Sequence, residues 1–340
     1  MASLLDELDS LVASPSFNAA PGGRGTIKPK ANFDAGEDAV ALRKAIEGLG
    51  TEEKTLIDIL THRSSGQRQL ICQAYLDATG RTLVEDLKGD THGDFEDLLV
   101  ALVTPPAVYD CHEVIRAMKG AGTKDGILIE ILASRSNQQI KALCDAYLQE
   151  TEKKLSLDLR GEVSGKYSKA LLILAEGKRD ESTAVDLVKA REDAKTLYDA
   201  GEKKWGTDES KFIEVLCHRS IPQLRQTLVE YKNISGKTLQ ESVEGEMSGE
   251  LEEILMAIVK CVTSVPAYLA ELLYASMKGG GTDEATLNRI MVTRSEVDLL
   301  DIRAEFKKLS GNSLYSAIES DCRGSYKKTL LRICGGDDDS

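Results

Sequence analysis

The chain has 340 residues, 41% hydrophobic, 29% charged and 5% aromatic, with a mean hydropathy of -0.24. That is enough to bury one large core or several small ones, and it is neither a disordered nor a bilayer-spanning composition. Forty-three Lys and Arg against 56 Asp and Glu leave a net charge of -13 and a pI near 5.0, which excludes broad nucleic-acid binding and direct adhesion to an anionic bilayer.

The opening residues Met1-Ala2-Ser3-Leu4-Leu5-Asp6-Glu7 lack a basic region and a continuous apolar run, so they are not expected to act as a secretory signal, and Ala2 stands where myristoylation needs Gly. Leu4, Leu5, Leu8, Leu11 and Val12 share one helical face, with Asp6, Glu7 and Asp9 elsewhere. Such a helix suits the apolar groove of an S100-like or calmodulin-like partner, or folds back on its own core; both readings stay open. Residues 1–33, with Pro15, Pro21, Gly22, Gly23, Gly25 and Pro29, are expected to form a separate tail.

Beyond the tail the chain repeats itself. Gly48-Leu49-Gly50-Thr51, Gly120-Ala121-Gly122-Thr123, Lys204-Trp205-Gly206-Thr207 and Gly279-Gly280-Gly281-Thr282 are spaced by 72, 84 and 75 residues. Counting from the second Gly of each, position 13 holds Arg63, Arg135, Arg219 and Arg294, and position 25 holds Tyr75, Tyr147, Tyr231 and Phe306. Position 33 holds Leu83, Leu155, Leu239 and Leu314, and position 40 holds Asp90, Glu162, Glu246 and Asp321. Position 43 is Gly in all four copies: Gly93, Gly165, Gly249 and Gly324. A unit of about seventy residues is longer than the helix pairs of common solenoids.

Within the first unit, Asp38–Lys44 precedes the loop. Leu56, Ile57, Ile59 and Leu60 follow Thr51, which is expected to cap their helix. Leu70, Ile71, Ala74 and Tyr75 recur at helical spacing, then Leu83, Val84 and Leu87, then Phe95, Leu98, Leu99, Ala101 and Leu102. That makes five short helices per unit and an all-α class, because β-branched runs and hairpin turns are few. The expected organisation is a tail at 1–33, repeats at 34–104 and 105–176, a charged linker at 177–188, and repeats at 189–264 and 265–340.

The Gly loops do not suit phosphate. Seven of the eight residues Glu52, Glu53, Lys124, Asp125, Asp208, Glu209, Asp283 and Glu284 that open the following helices are acidic. A hard cation fits better, since glycines let carbonyl oxygens turn outward and Ca²⁺ takes six to eight oxygens. Asp90, Glu162, Glu246 and Asp321 are the candidate side-chain ligands, and each site would be completed by water or an outside oxygen. Such an ion joins an acidic protein to an acidic surface. The competing reading is that Gly-x-Gly ends one helix while the acid caps the next.

This pattern of four Gly-x-Gly-Thr loops, each followed by an acid, resembles the annexin family over about residues 34–336. The phrases Leu128-Ile129-Glu130-Ile131-Leu132, Leu299-Leu300-Asp301-Ile302-Arg303, Ser313-Leu314-Tyr315-Ser316-Ala317-Ile318 and Ile333-Cys334-Gly335-Gly336-Asp337-Asp338 carry the likeness to one vertebrate branch of it. The resemblance implies a slightly curved disc of four five-helix annexin repeats whose Ca²⁺ loops dock on anionic phospholipid such as phosphatidylserine. Carried over by position, the sites are the carbonyls of Ile46, Gly48 and Gly50 with Asp90; of Met118, Gly120 and Gly122 with Glu162; and of Met277, Gly279 and Gly281 with Asp321. The third departs, with Lys204 in place of Gly and one extra residue, and takes Gly201, Lys204, Gly206 and Glu246. It is expected to hold an ion least tightly.

Trp205 is the sole tryptophan and occupies a position filled elsewhere by Leu49, Ala121 and Gly280, so it is expected at an exposed loop tip in contact with the membrane headgroups. The repeated arginines suit buried structural pairing. Asp110, Glu113, Glu130, Arg135 and Arg289 match the charged lining of the family's central hydrophilic channel; an ion-pair network between repeats accounts for the same residues. The seven cysteines include no CxxC and read as reduced core thiols of a cytosolic protein. His62, His92, His112 and His218 form no catalytic motif, and no enzyme activity is expected.

The expected protein is cytoplasmic, a monomer in solution that can assemble on membranes, and peripheral on their cytosolic face when Ca²⁺ rises. It would inhibit phospholipase A2 only by covering its substrate. The alternative class is a helical-repeat scaffold that binds proteins without Ca²⁺, which would have no reason to keep the glycines and the acid in register.

Overall fold

The computed structural model describes residues 23–202 and 205–339, and the amphipathic face Leu4–Val12 lies outside the described residues, as does Lys204. Nineteen α-helices and no strands occur among the described residues. The first repeat contains α1 (Ala35–Glu47), α2 (Glu53–Leu60), α3 (Ser65–Thr79), α4 (Leu83–Asp90) and α5 (Gly93–Val103). The second contains α6 (Pro106–Met118), α7 (Asp125–Ser134), α8 (Asn137–Thr151), α9 (Leu155–Glu162) and α10 (Gly165–Ala175). Residues 178–186 hold no helix.

The third repeat opens with α11 (Leu187–Ala200), α12 (Glu209–His218), α13 (Ile221–Ser235) and α14 (Leu239–Glu246), and α15 (Gly249–Met277) runs on into the fourth. There follow α16 (Glu284–Arg294), α17 (Leu299–Ser310), α18 (Leu314–Asp321) and α19 (Gly324–Cys334). Helix α15 is two helices end to end: Ser264 is extended (φ -164°, ψ 112°), and its Oγ accepts from Ala267 N at 3.1 Å as a cap, with Pro266 in the first turn. Each repeat therefore has the five helices expected. Although α15 is long and apolar enough to cross a bilayer, its apolar window is mostly buried in the protein and the break interrupts it.

Local chemistry sets the helix ends. Ser64 with Gln67, Thr82 with Glu85 and Ser136 with Gln139 form reciprocal capping boxes, and Ser220, Thr238 and Ser313 cap the equivalent helices. Thr51 does not cap α2 as expected. The helix starts one residue later with Glu52 at its cap position, and the Thr51 hydroxyl is turned toward α4.

The chain divides into two compact units. Of the described residues, one comprises 110–268, the third repeat and nearly all of the second; the other comprises 23–109 and 269–339, the first repeat and nearly all of the fourth. In the first and third repeats the first helix packs on the third, α1 on α3 and α11 on α13. Leu42, Leu56, Leu60, Ile71, Leu87 and Leu98 are fully buried in the first repeat. In the first unit α10 meets α12, and Arg179 pins the linker by donating to the carbonyls of Leu216 (2.8 Å) and Arg219 (2.9 Å). In the second unit α5 meets α16 and α19. There part of the segment assigned to the tail is fastened down: Thr26 N donates to Ser295 O (2.7 Å), Thr26 Oγ1 to Ile333 O (2.6 Å), and Leu300 N to Arg24 O (3.0 Å).

The repeated arginines are structural. Arg63 grips Asp38 through Nε (2.7 Å) and Nη2 (2.9 Å), Arg135 grips Asp110 (2.9 and 3.0 Å), and Arg219 grips Asp193 (2.8 and 3.3 Å), each tying the end of the second helix to the first. The fourth repeat has Leu269 at the matching place, and Arg294 takes Asp298 instead (2.8 and 2.7 Å). All seven cysteines are free, five of them buried. Desolvation pushes the Cys217 thiol up to about 12 and those of Cys111, Cys322 and Cys334 to about 11.

Breaking a buried pair strands one charge, whereas breaking an exposed pair costs little. Arg135→Ala, whose side chain is 2% exposed, is expected to destabilise the first unit by about 3–5 kcal/mol. Lys54→Ala, 77% exposed, is expected to cost less than about 1 kcal/mol. Urea unfolding of both variants measures the difference.

Candidate functional site

Each Gly loop joins the first helix of a repeat to the second, and all four are closed by the same bond. Glu52 N donates to Ala45 O (2.9 Å), Lys124 N to Ala117 O (2.8 Å), Asp208 N to Ala200 O (2.9 Å) and Asp283 N to Ser276 O (2.8 Å). Between donor and acceptor the backbone bulges outward. Gly120 (φ 105°), Gly122 (φ 91°), Gly50 (φ 84°), Gly206 (φ 83°) and Gly279 (φ 108°) lie in the left-handed region, where a side chain costs about 1–2 kcal/mol. Among the described residues, no turn or loop hydrogen bond uses the carbonyls of Gly48, Gly50, Gly120, Gly122, Gly206, Gly279 or Gly281. Those oxygens are the candidate main-chain ligands that the backbone of the loop leaves unused. The loops are not left-handed helix stops: Gly48 after α1 has φ -69°, and Gly201 after α11 has φ -110°.

The acid forty positions on ends the short fourth helix of every repeat, α4, α9, α14 or α18. The threonine that follows the loop brings it back to the loop. Thr207 Oγ1 donates to Glu246 Oε2 (2.8 Å), Thr123 Oγ1 approaches Glu162 Oε2 at 3.4 Å, and Thr282 Oγ1 donates to Asp321 Oδ2. In the first repeat Thr51 Oγ1 reaches the Asp90 backbone carbonyl (3.1 Å), leaving that carboxylate outside the tie. Gly93, Gly165, Gly249 and Gly324 follow the acid by three residues, all with φ between 62° and 70°. They start the fifth helix in a left-handed turn, which explains why that position is Gly in every copy. No side chain caps α5, α10 or α19, so the acid is not a cap for the next helix.

The donor set is one carboxylate with main-chain oxygens, all hard, and it suits Ca²⁺. Among the described residues no group of three or more His, Cys, Asp or Glu side chains is placed to hold a metal, so any such site must rest on carbonyls. Asp90 and Asp321 line one cavity of about 630 Å³ in the second unit, together with Glu53, Asp94 and Glu284 and with Arg323 the only Lys or Arg in the lining. Its field concentrates cations beside two of the loops.

The third loop is built differently. Gly201 is buried, and a Cβ there would stand 3.1 Å from the Phe212 ring. Glu202 is tied inward, accepting from Lys237 Nζ (3.0 Å) and Ser242 Oγ (2.9 Å), and these bonds hold its carboxyl below the usual range against the opposing effect of burial. The sequence reading missed Glu202; the signal was Ser242, which stands where the first two repeats have Asp86 and Asp158. At the loop tips, Leu49 (111%) and Trp205 (104%) are fully exposed. Leu49 was missed too, although it shares the position of Trp205.

Of the residues matched to a channel lining, Asp110 pairs with Arg135, and Glu113 accepts from Arg116 Nε (2.9 Å) and Nη2 (3.2 Å). Glu130 and Arg289 are buried, with the Arg289 Nη2 donating to Thr286 Oγ1 (3.2 Å).

The threonine ties differ in a measurable way. Thr282→Val removes the hydrogen bond that orients the Asp321 carboxylate, the candidate ligand, and is expected to weaken Ca²⁺ binding by about tenfold or more if the fourth loop holds the ion. Thr51→Val touches only a carbonyl and is expected to have a smaller effect. Calorimetric titration of the two variants, with circular dichroism to confirm the fold, checks the order.

Comparison with known proteins gives concordant findings. The sequence profile of the family described as Annexin matches residues 37–102, 109–174, 192–258 and 268–333. Human annexin A3 is 57% identical over 317 residues, covering 93% of this chain and 98% of the relative. A solved structure of annexin III superposes with a TM-score of 0.92 at 56% identity, over 94% of this chain and 100% of that one. Calcium-bound annexin (Sm)1 superposes with a TM-score of 0.83 at 35% identity, over 92% of this chain and 93% of that one.

Proposed function

The chain belongs to the annexin family of calcium-dependent phospholipid-binding proteins, and from this we propose that it attaches reversibly to anionic membranes through Ca²⁺ shared between its Gly loops and lipid phosphate. The observation that carries the reading is the tie from the loop threonine to the residue forty positions after the loop glycine, present in all four repeats. Calcium bound there supplies positive charge with coordination positions still open to outside oxygens.

The residues that would hold it are the carbonyls of Ile46, Gly48 and Gly50 with Asp90, of Met118, Gly120 and Gly122 with Glu162, and of Met277, Gly279 and Gly281 with Asp321. In the third repeat they are Gly201, Lys204, Gly206 and Glu246, with the burial of Gly201 and the inward tie of Glu202 restricting that loop. Each set brings one formal negative charge, too little to hold the ion tightly alone, and lipid phosphate completes it. Trp205 and Leu49 project from loop tips to the level of the headgroups, where an indole and an aliphatic chain gain by leaving water.

A chain with a net charge of -13 is repelled by an anionic leaflet in the absence of the cation, so attachment reverses when Ca²⁺ falls. The role is that of a cytoplasmic, non-enzymatic membrane cover, reaching the cytosolic face as Ca²⁺ rises and hindering phospholipase A2 only by occupying its substrate.

Cosedimentation with phosphatidylserine vesicles is expected with Ca²⁺ and not with chelator. Titrated alone and with vesicles, the protein is expected to need far less Ca²⁺ when lipid is present, and Trp205 emission is expected to shift to the blue only with both. An apparent Ca²⁺ affinity unchanged by vesicles rejects the shared coordination.

A further inference from the structure

After α19 the chain turns back on Gly335, left-handed at φ 82°, and on Gly336, where a Cβ would stand 3.2 Å from Arg303 Nη2. It is held on α17 by Arg303, which donates to Asp338 (3.1 and 2.9 Å) and to the Cys334 carbonyl (3.0 Å), and it reaches the first turn of α18. There Ser313 Oγ donates to Asp337 Oδ1 (2.6 Å), while Ser313 N (3.0 Å) and Ser316 Oγ (3.1 Å) both donate to Asp339 Oδ2. Lys307 Nζ lies 3.0 Å from the other Asp339 oxygen, and Asp337 steadies the arrangement by accepting from Asp339 N (3.0 Å). The Ser313 N–H and the Lys307 ammonium hold the Asp339 carboxyl down at about 2, so it is charged at neutral pH.

These bonds stand where a capping box would. In the first repeat Thr82 N donates to Glu85 Oε2 (3.1 Å) while Glu85 N donates to Thr82 Oγ1 (3.1 Å), and Ser64 with Gln67 and Ser136 with Gln139 do the same for α3 and α8. At the place of Glu85 the fourth repeat has Ser316, too short to reach back, and no acid stands in the first turn of α18. Only half of the box is made within the helix, by Ser316 N donating to Ser313 Oγ (3.0 Å). Asp339 makes the other half from outside it. Ser313 is fully buried, so its N–H has no water to turn to instead.

We propose that Asp339 is a positioning residue for the fourth Ca²⁺ loop: it caps the start of α18, and the helix carries that order to Asp321 at its other end. The proposal rests on the reading of Asp321 as the fourth ligand carboxylate. Helix α18 has eight residues and is about 12 Å long, too short to be stable by itself. Its first N–H groups have no partner within the helix and depend on the cap. Once that turn frays, a single turn separates the loose end from Asp321, and the carboxylate that Thr282 orients is held in place in fewer molecules. Apparent affinity falls with that fraction. The coupling is reciprocal, so an ion at the loop tightens the contact between Asp339 and Ser313.

The test uses full-length D90N/E162Q/E246Q, in which the fourth site alone keeps its carboxylate, titrated calorimetrically with Ca²⁺. Adding D339A is expected to weaken binding by about three- to tenfold, the range that loss of one helix cap produces. Adding S316Q to the D339A variant rebuilds the box used by α3 and α8 without restoring a charge, and is expected to recover most of the affinity. Hydrogen exchange at the Ser313 amide is expected to slow when Ca²⁺ is added to D90N/E162Q/E246Q. Circular dichroism and melting curves record the folded state of every variant.

A Ca²⁺ affinity unchanged by D339A, even with a lowered melting temperature, makes the aspartate a structural clasp and overturns the proposal. An affinity lost with D339A and not recovered with S316Q also overturns it, because the charge and not the cap is then acting. Exchange at Ser313 that ignores Ca²⁺ removes the coupling. Absence of any Ca²⁺ binding by D90N/E162Q/E246Q removes Asp321 as a ligand and the proposal with it, a failure of the site reading that the other three outcomes leave intact.

Discussion

A threonine hydroxyl at the start of each second helix reaches the residue thirty-nine positions later, where the short fourth helix ends. That contact brings an outward-bulging glycine loop and one carboxylate-bearing residue to the same place, and it recurs in every repeat. The other regular features of the fold hold its two ends in position. The Arg–Asp pairs fix the second helix, the buried leucines fix the fourth, and the left-handed glycine three residues after the acid lets the fifth helix depart without covering the site. Each loop is closed by its own backbone bond, and its outer carbonyls are left for a partner that the polypeptide does not contain.

The four copies share this frame and differ in what surrounds it. The first ties its acid by the backbone and carries Leu49 at the tip. The third draws Glu202 inward to replace a missing aspartate and carries Trp205. The fourth has Phe306, Asn312 and Ala317 where the first two have a Tyr, a base and an Asp, and a cavity of about 400 Å³ lies among these residues and Asp321. A repeat protein that used all four loops only as identical anchors would have little use for such differences.

Much of this was legible in the sequence, for physical reasons. Helical periodicity and ungapped spacing gave five helices per repeat, and the acids emerged from recurrence, since carboxylates kept in register with glycines across four copies imply a common duty. Bonds between positions distant in the chain were harder to read. Thr51 looked like a helix cap because Ser and Thr usually are before an apolar helix, but its hydroxyl has a stronger use toward α4. The Asp38, Asp110 and Asp193 partners of the arginines lie 25 or 26 residues upstream and break register in the fourth repeat, where Leu269 intervenes and Asp298 takes over. The cavity was invisible because a pocket is a lost set of contacts. Phe306, Asn312 and Ala317 each look unremarkable until the structure places them together.

The central claim is that carboxylates at four matched positions, each with a loop of main-chain oxygens, are what allow a negatively charged protein to settle on a negatively charged surface. The most direct measurement is liposome coating by the D90N/E162Q/E246Q/D321N variant at a Ca²⁺ level that saturates the wild type. These amides keep size and polarity and remove only the charge. The account predicts a folded protein that stays in the supernatant; a variant that coats phosphatidylserine liposomes as the wild type does would contradict it.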